Sequence, residues 1–164
     1  TAFIIKSQQQ EKIIVYNVPK QEAIDIIHGD KYLFRGDSSL LADDFLQNFH
    51  LKPSRINHRV AATPQLHQYQ NLPNGFIFNN TTVVCLNNAC FPQQNHTIDA
   101  QLVILSKNTP FTLQQVCRQF GDATIVIDAS NSYRQLNRWK TEATTLGIKY
   151  YSVVDNGAFV MPLK

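Results

Sequence analysis

The last third of the chain leaves the fewest choices of fold. Residues 102–105 are Leu-Val-Ile-Leu, an unbroken apolar run that suits a strand covered on both faces. Thr109 can cap a following helix, with Pro110 at its first position and Gly121 at its end. Phe111, Leu113, Val116, Cys117 and Phe120 would form the core side of that helix. Residues 123–127 predict the next buried strand. A second helix over 133–146 sets Leu136, Trp139, Ala143 and Leu146 on one face, ahead of Gly147. Residues 148–153 and 158–161 then predict strands around the turn signal Asp155-Asn156-Gly157. Strand, helix, strand, helix, strand implies right-handed crossovers in a largely parallel sheet.

The first third predicts short strands at 3–6, 13–18, 23–28 and 32–35, separated by polar turns such as His28-Gly29-Asp30-Lys31. Ser38 or Ser39 can cap a helix through Leu40, Leu41, Phe45 and Phe49, whose spacing makes one apolar stripe. Between 50 and 75 the periodicity weakens. Pro53, Pro64 and Pro73 predict loop with one short strand. A hairpin follows, 75–78 against 82–86, across Asn79-Asn80, which tolerate positive φ. No repeat or linker divides the chain, so residues 1–164 are expected to form one domain. That length can bury roughly 70 % of its unfolded surface.

Composition enters through charge. Only 16 % of residues are charged and the net charge is +3, which permits an anionic partner without requiring one. No run approaches the ~18 apolar residues of a membrane helix, and no targeting segment is present. Thr1 opens directly on Ala2-Phe3-Ile4-Ile5, which leads us to expect a fragment of a longer protein. Of the three cysteines, Cys85 and Cys90 could pair if they end adjacent strands in an oxidising compartment. The other reading is two free, partly buried thiols.

Chemistry is sparse. There is no Gly-x-Ser-x-Gly and no glycine-rich phosphate loop. Cys117 falls on the core side of its helix, where a thiol is inert. Turn and helix N-terminal positions account for most of Asp25, Asp30, Asp37, Asp43 and Asp44 better than a Mg²⁺ cluster does. The best remaining site is Asp128-Ala129-Ser130-Asn131-Ser132, after a buried strand and before a helix. There, backbone N–H groups and small hydroxyls can receive an anion. Ser130, Asn131, Ser132, Tyr133, Arg134 and Arg138 are the candidate anion- or DNA-binding residues. The same residues also suit an Asp/Ser cap and a solvated basic face.

The order of these pieces resembles the metallo-β-lactamase-like domain that closes ComEC-type competence proteins, the inner-membrane channels for DNA uptake. Those domains commonly open with a strand, Asp-Val-Gly-Gln-Gly-Asp-Ala, a second strand, a Gly-Lys turn and a strand ending Ile-Asp-Gly-Gly. Here Asn17-Val18-Pro19-Lys20-Gln21-Glu22-Ala23, then Gly29-Asp30-Lys31, then Leu33-Phe34-Arg35-Gly36-Asp37 keep the register. In the last third, 102–109 sits where the family runs into Gly-His-His-Gly-Ser. Gly147-Ile148-Lys149-Tyr150-Tyr151 and Asp155-Asn156-Gly157-Ala158-Phe159 resemble its closing strands. Asp128 to Tyr133 with Arg138-Trp139-Lys140 is similar to the short C-termini of Bacteroidetes-like members.

The resemblance implies an α/β chain with a shortened metallo-β-lactamase-like fold, its mixed β-sheets flanked by helices. It also implies that the metal site is absent. Hydrolytic members hold metal with a His-x-His-x-Asp-His cluster, a later His, a bridging Asp and a further His, because several fixed ligands are needed to activate water. Here only His50, His58 and His67 fall in the corresponding stretch, eight and nine residues apart. Asn87-Asn88 stands near the bridging Asp, and Ser106-Lys107-Asn108 replaces the paired histidines. The expectation is therefore a soluble, non-catalytic C-terminal domain of a channel for DNA uptake, with no catalytic or metal-ligating residue and no cofactor. Its partners would be the membrane channel portion of the same polypeptide and single-stranded DNA, on the periplasmic side of a bacterial inner membrane. Two alternatives stay open: a metal-dependent nuclease with a site rebuilt from Asp and His in 38–75, and a pure protein-interaction module.

Overall fold

Short turns with the right backbone hand set the first sheet. In the computed structural model, residues 8–88 and 95–163 are described. Strands β2 (Ala23–His28) and β3 (Lys31–Gly36) close on Gly29-Asp30, with Gly29 at φ +60°. A two-residue hairpin loop favours that left-handed conformation, which glycine adopts without penalty. With β1 (Glu11–Val15), β4 (Ala61–Ala62) and β11 (Phe159–Pro162) they form a five-stranded sheet in the order β11-β1-β2-β3-β4.

The second sheet has six strands in the order β10-β9-β8-β7-β6-β5. Its members are β5 (Tyr69–Leu72), β6 (Gly75–Phe78), β7 (Thr81–Leu86), β8 (Leu102–Leu105), β9 (Thr124–Ile127) and β10 (Tyr151–Ser152). The strands β7 to β10 run parallel, and β5 to β7 antiparallel. The β6–β7 hairpin turns on Asn79-Asn80 as expected, at φ 46° and 62°.

Alternation along the strands sorts side chains into three cores. Ile13, Val15, Ile24 and Ile26 of the first sheet face Phe76, Phe78, Val83, Leu102, Ile104 and Val126 of the second. On the far side of the first sheet, Ile14 and Ile27 pack with Leu40 and Leu51. These belong to α1 (Ser38–Leu41) and to a π-helical turn, Gln47–Leu51, that links α2 (Asp44–Leu46) to α3 (Lys52–His58). On the far side of the second sheet, Val103, Leu105 and Ile127 meet α4 (Leu113–Phe120) and α5 (Tyr133–Leu146). The run at 102–105 is thus unbroken because alternate residues serve two different cores. Helix, sheet, sheet, helix is the α/β arrangement that the metallo-β-lactamase-like resemblance implies, mixed sheets with flanking helices.

Several local expectations need correction. Helix α4 is capped by Thr112, not Thr109, because Thr112 and Gln115 exchange side-chain and backbone bonds in a capping box. Of the stripe Leu40, Leu41, Phe45 and Phe49 only Leu40 is buried, since the helix breaks at Ala42 and restarts on the Asp43 cap. Leu146, in the final turn of α5, is 47 % exposed. The strand expected over 148–153 shrinks to Tyr151–Ser152, and Val153–Asn156 is a helical turn, α6, capped by the Ser152 hydroxyl. Cys117 is only partly buried. Residues 50–75 hold more structure than their prolines suggest: α3, β4 and β5. The strand expected at 3–6 lies outside the described residues, as does Cys90; Cys85 is a buried free thiol. No helix among the described residues is long and apolar enough to cross a membrane.

Candidate functional site

Several strand ends meet where the two sheets part. Strands β3, β7, β8 and β9 finish at Gly36, Leu86, Leu105 and Ile127, and β2 begins one residue after Glu22. Polar groups just outside the carboxyl ends of parallel strands are where α/β sheets usually present a site. Here they border a cleft of about 430 Å³ that includes Glu22, Arg35, Asp37, Cys85, Asn87 and Lys107.

One wall is built by close backbone approach. A Cβ on Gly36 would lie 2.2 Å from the Glu22 carbonyl oxygen, so glycine is required there. The Asp37 N–H donates to that carbonyl (2.9 Å), and the Glu22 N–H donates to the Asp37 carboxylate (2.8 Å). Burial raises the Glu22 carboxyl above the ordinary range, with the Lys107 charge opposing the shift. Arg35 is held by Asn71 Oδ1 at 2.5 Å and lies 5.7 Å from the centroid of the Phe76 ring. The Cys85 thiol is pushed up to about 12 by burial, so it is not a nucleophile near neutral pH.

The opposite wall supplies a tethered cation. After β8 the chain turns through Lys107 and Asn108 at φ 50° and 57°, a region that costs a residue such as Lys roughly 1 kcal/mol. The Ser130 hydroxyl accepts the Lys107 N–H (2.8 Å), and Asn131 Oδ1 accepts the Asn108 N–H (2.8 Å). The Asn131 amide also donates to the Leu105 carbonyl (2.7 Å), while the Ser132 N–H donates to Asn108 Oδ1 (2.7 Å). Held this way, Lys107 crosses the cleft and its ammonium pairs with Asp37. The hydrogen bond to Asp37 raises the Lys107 ammonium above its usual value.

Behind this turn, Asp128 is buried. It accepts from the hydroxyls of Ser106 (2.6 Å) and Ser130 and from the Ser130 N–H (3.0 Å). Burial nevertheless pushes its carboxyl up to about 7, against those hydrogen bonds.

The structure therefore divides the residues expected to bind an anion into two groups. The side chains of Ser130 and Asn131 bond to the β8–α4 turn, whereas the Ser132 hydroxyl turns to the first turn of α5 and accepts the Gln135 N–H at 3.2 Å. Tyr133, Arg134 and Arg138 point to solvent on α5. Arg134 and Arg138 form no ion pair among the described residues. The aspartates do not gather. Asp25 is buried under α3, Asp30 lies in a hairpin loop, Asp37 in the cleft, Asp43 caps α2 and Asp44 begins it.

A divalent cation, which the resemblance implies for hydrolytic members, does not fit this donor set. His50 and His58 lie on the π-turn and α3, and His67 on an exposed loop. The Nδ1 atom of His58 is 2.8 Å from the Ser54 carbonyl oxygen. Among the described residues no group of three or more His, Cys, Asp or Glu could hold a metal ion. Glu22, Arg35, Asp37 and Lys107 went unrecognised as one cleft in the sequence. The available signal was their position at strand ends, since Asp37 stands where a helix cap would and yet makes no cap bond.

Compared with known proteins, residues 13–163 match the family model described as the ComEC C-terminal domain. No curated protein and no solved structure matches the chain.

Proposed function

Because this chain belongs to the ComEC C-terminal domain family, we propose that it is a non-catalytic domain of an inner-membrane channel for DNA uptake. It would lie on the periplasmic side, dock on the channel portion of the same polypeptide and guide the incoming single strand. It would use no cofactor. The observation that carries the reading is the Lys107–Asp37 pair across the cleft. A lysine stands where hydrolytic members place paired histidines. Its ammonium supplies positive charge opposite Asp37 but has no open coordination position, so it cannot turn a bound water into a nucleophile.

The strand would be held on the α5 side, by Tyr133, Arg134 and Arg138 with the Ser130-Asn131-Ser132 turn behind them. An aromatic ring beside two unpaired cations suits a phosphate backbone with unstacked bases.

The purified chain should retain no stoichiometric zinc or manganese after dialysis and should leave single-stranded DNA intact. Its DNA affinity should fall as salt rises. Changing both Arg134 and Arg138 to Gln should lower that affinity and reduce the salt slope by about 1.4, the value for two phosphate contacts on a single strand. Metal-dependent cleavage would overturn the non-catalytic assignment. DNA uptake in cells that is undisturbed by the arginine changes, yet abolished when the core is disrupted, would favour a pure protein-interaction module.

A further inference from the structure

One short stretch holds its apolar side chains outward. Leu41, Phe45, Phe49 and Ile56 are 55 %, 72 %, 67 % and 64 % exposed. The rings of Phe45 and Phe49 stack on each other, with centroids 6.0 Å apart and planes 12° from parallel. They cannot simply fold inward, because the segment is pinned at both ends. Leu40 ahead of the rings and Leu51 after them are fully buried against the first sheet, and Arg55 of α3 grips the buried Asp25 at 2.8 and 2.9 Å. Exposed aromatic pairs on a rigid element are uncommon on a free surface and mark a contact site.

Charge says what the contact is. No Asp or Glu occurs between Asp44 and Asp99, whereas Lys52, Arg55 and Arg59 fall close together within that interval. Lys52 and Arg59 are exposed and form no ion pair among the described residues. Beside α3, a recess of about 300 Å³ is bordered by Gln47, Asn48, Lys52, Arg55 and Ile56. Exposed apolar rings and unpaired cations on one short stretch complement a surface whose outer layer is anionic and whose next layer is hydrocarbon. A second copy of the chain fits worse, since a two-fold contact would set basic flank against basic flank.

We propose that this face seats on an anionic lipid bilayer, with Phe45, Phe49 and Ile56 entering the headgroup–acyl boundary and Lys52 and Arg59 meeting lipid phosphates. The inference stands on exposure and charge. Family membership adds only that a membrane belongs to the same protein, and the seating does not depend on whether the cleft is catalytic.

Flotation of the purified chain with vesicles of phosphatidylglycerol and phosphatidylethanolamine, and with vesicles of phosphatidylcholine alone, tests it. Binding is expected to the anionic vesicles and not to the zwitterionic ones. Phe45→Ser with Phe49→Ser should weaken it by on the order of tenfold with the unfolding midpoint unchanged. Lys52→Gln with Arg59→Gln should weaken it roughly thirtyfold and flatten its salt dependence. No flotation of the unaltered chain, undiminished flotation of the double serine variant, or a dimer in ultracentrifugation that the serine changes dissolve would each overturn the proposal. A result on metal or nuclease activity leaves it standing, so the two readings fail separately.

Discussion

Asp128 shows how one side chain can carry both architecture and a pH dependence. Its carboxyl accepts from the hydroxyls of Ser106 and Ser130 and fixes both, and the Ser130 hydroxyl in turn accepts the Lys107 N–H. Burial raises the Asp128 carboxyl from 3.8 to about 7, so between those values the unfolded chain releases a proton that the folded chain keeps. Stability from this group is therefore full below pH ~4 and is lost as pH rises towards 7, a change on the order of 4 kcal/mol. Asp128→Asn should remove that share of the slope, as urea midpoints measured across the window will show. Burial raises Glu22 in the same direction, so its own slope should persist. A variant whose midpoint tracks pH as the parent does would refute the assignment. The 128–132 turn stood out in the sequence because small polar residues stand between a buried strand and a helix. The route from Ser130 to Lys107 was not legible, because it joins loops that only tertiary structure brings together.

At the scale of elements, local chemistry decided what could be read. The β6–β7 hairpin and α5 were legible, one from two asparagines able to take positive φ, the other from its apolar face and terminal glycine. The start of α4 was misplaced because two threonines competed, and the capping box of Thr112 and Gln115 outweighed the Thr109-Pro110 pair. The π-turn left no periodic trace, since its extra residue breaks the spacing that marks a helix. Helix α3 depends on tertiary charge. Arg55 makes two bonds to Asp25, which is fully buried, and lies 4.0 Å from the centroid of the Tyr32 ring. Arg55→Ala would strand that carboxylate and should cost about 3–5 kcal/mol, measured by urea unfolding. Replacing Asp25 and Arg55 together with Leu and Met should restore much of the loss, because the pair's desolvation penalty disappears with it.

For the molecule as a whole, the order of strands and helices implied a largely parallel sheet in the last third, and the family resemblance added mixed sheets with flanking helices. Neither was enough to show that neighbours in sequence part company. Strand β10 joins the second sheet, whereas β11, three residues beyond α6, leaves for the first and pairs Phe159–Pro162 with 12–15 of β1. Hydropathy alone cannot reveal a partner so distant along the chain. The crossing has a consequence in time. During synthesis the opening strands emerge long before the segment that borders them, so β1 must wait with one row of amide and carbonyl groups unclaimed until residues 159–162 have been made. Such a naked edge invites a stranger of similar shape. Removing residues 159–164 should therefore leave a chain that elutes as growing assemblies and melts without a sharp transition, and supplying those residues as a separate peptide should shrink the assemblies. The strand β11 acts as a late bolt that closes a border left open since β1 was made.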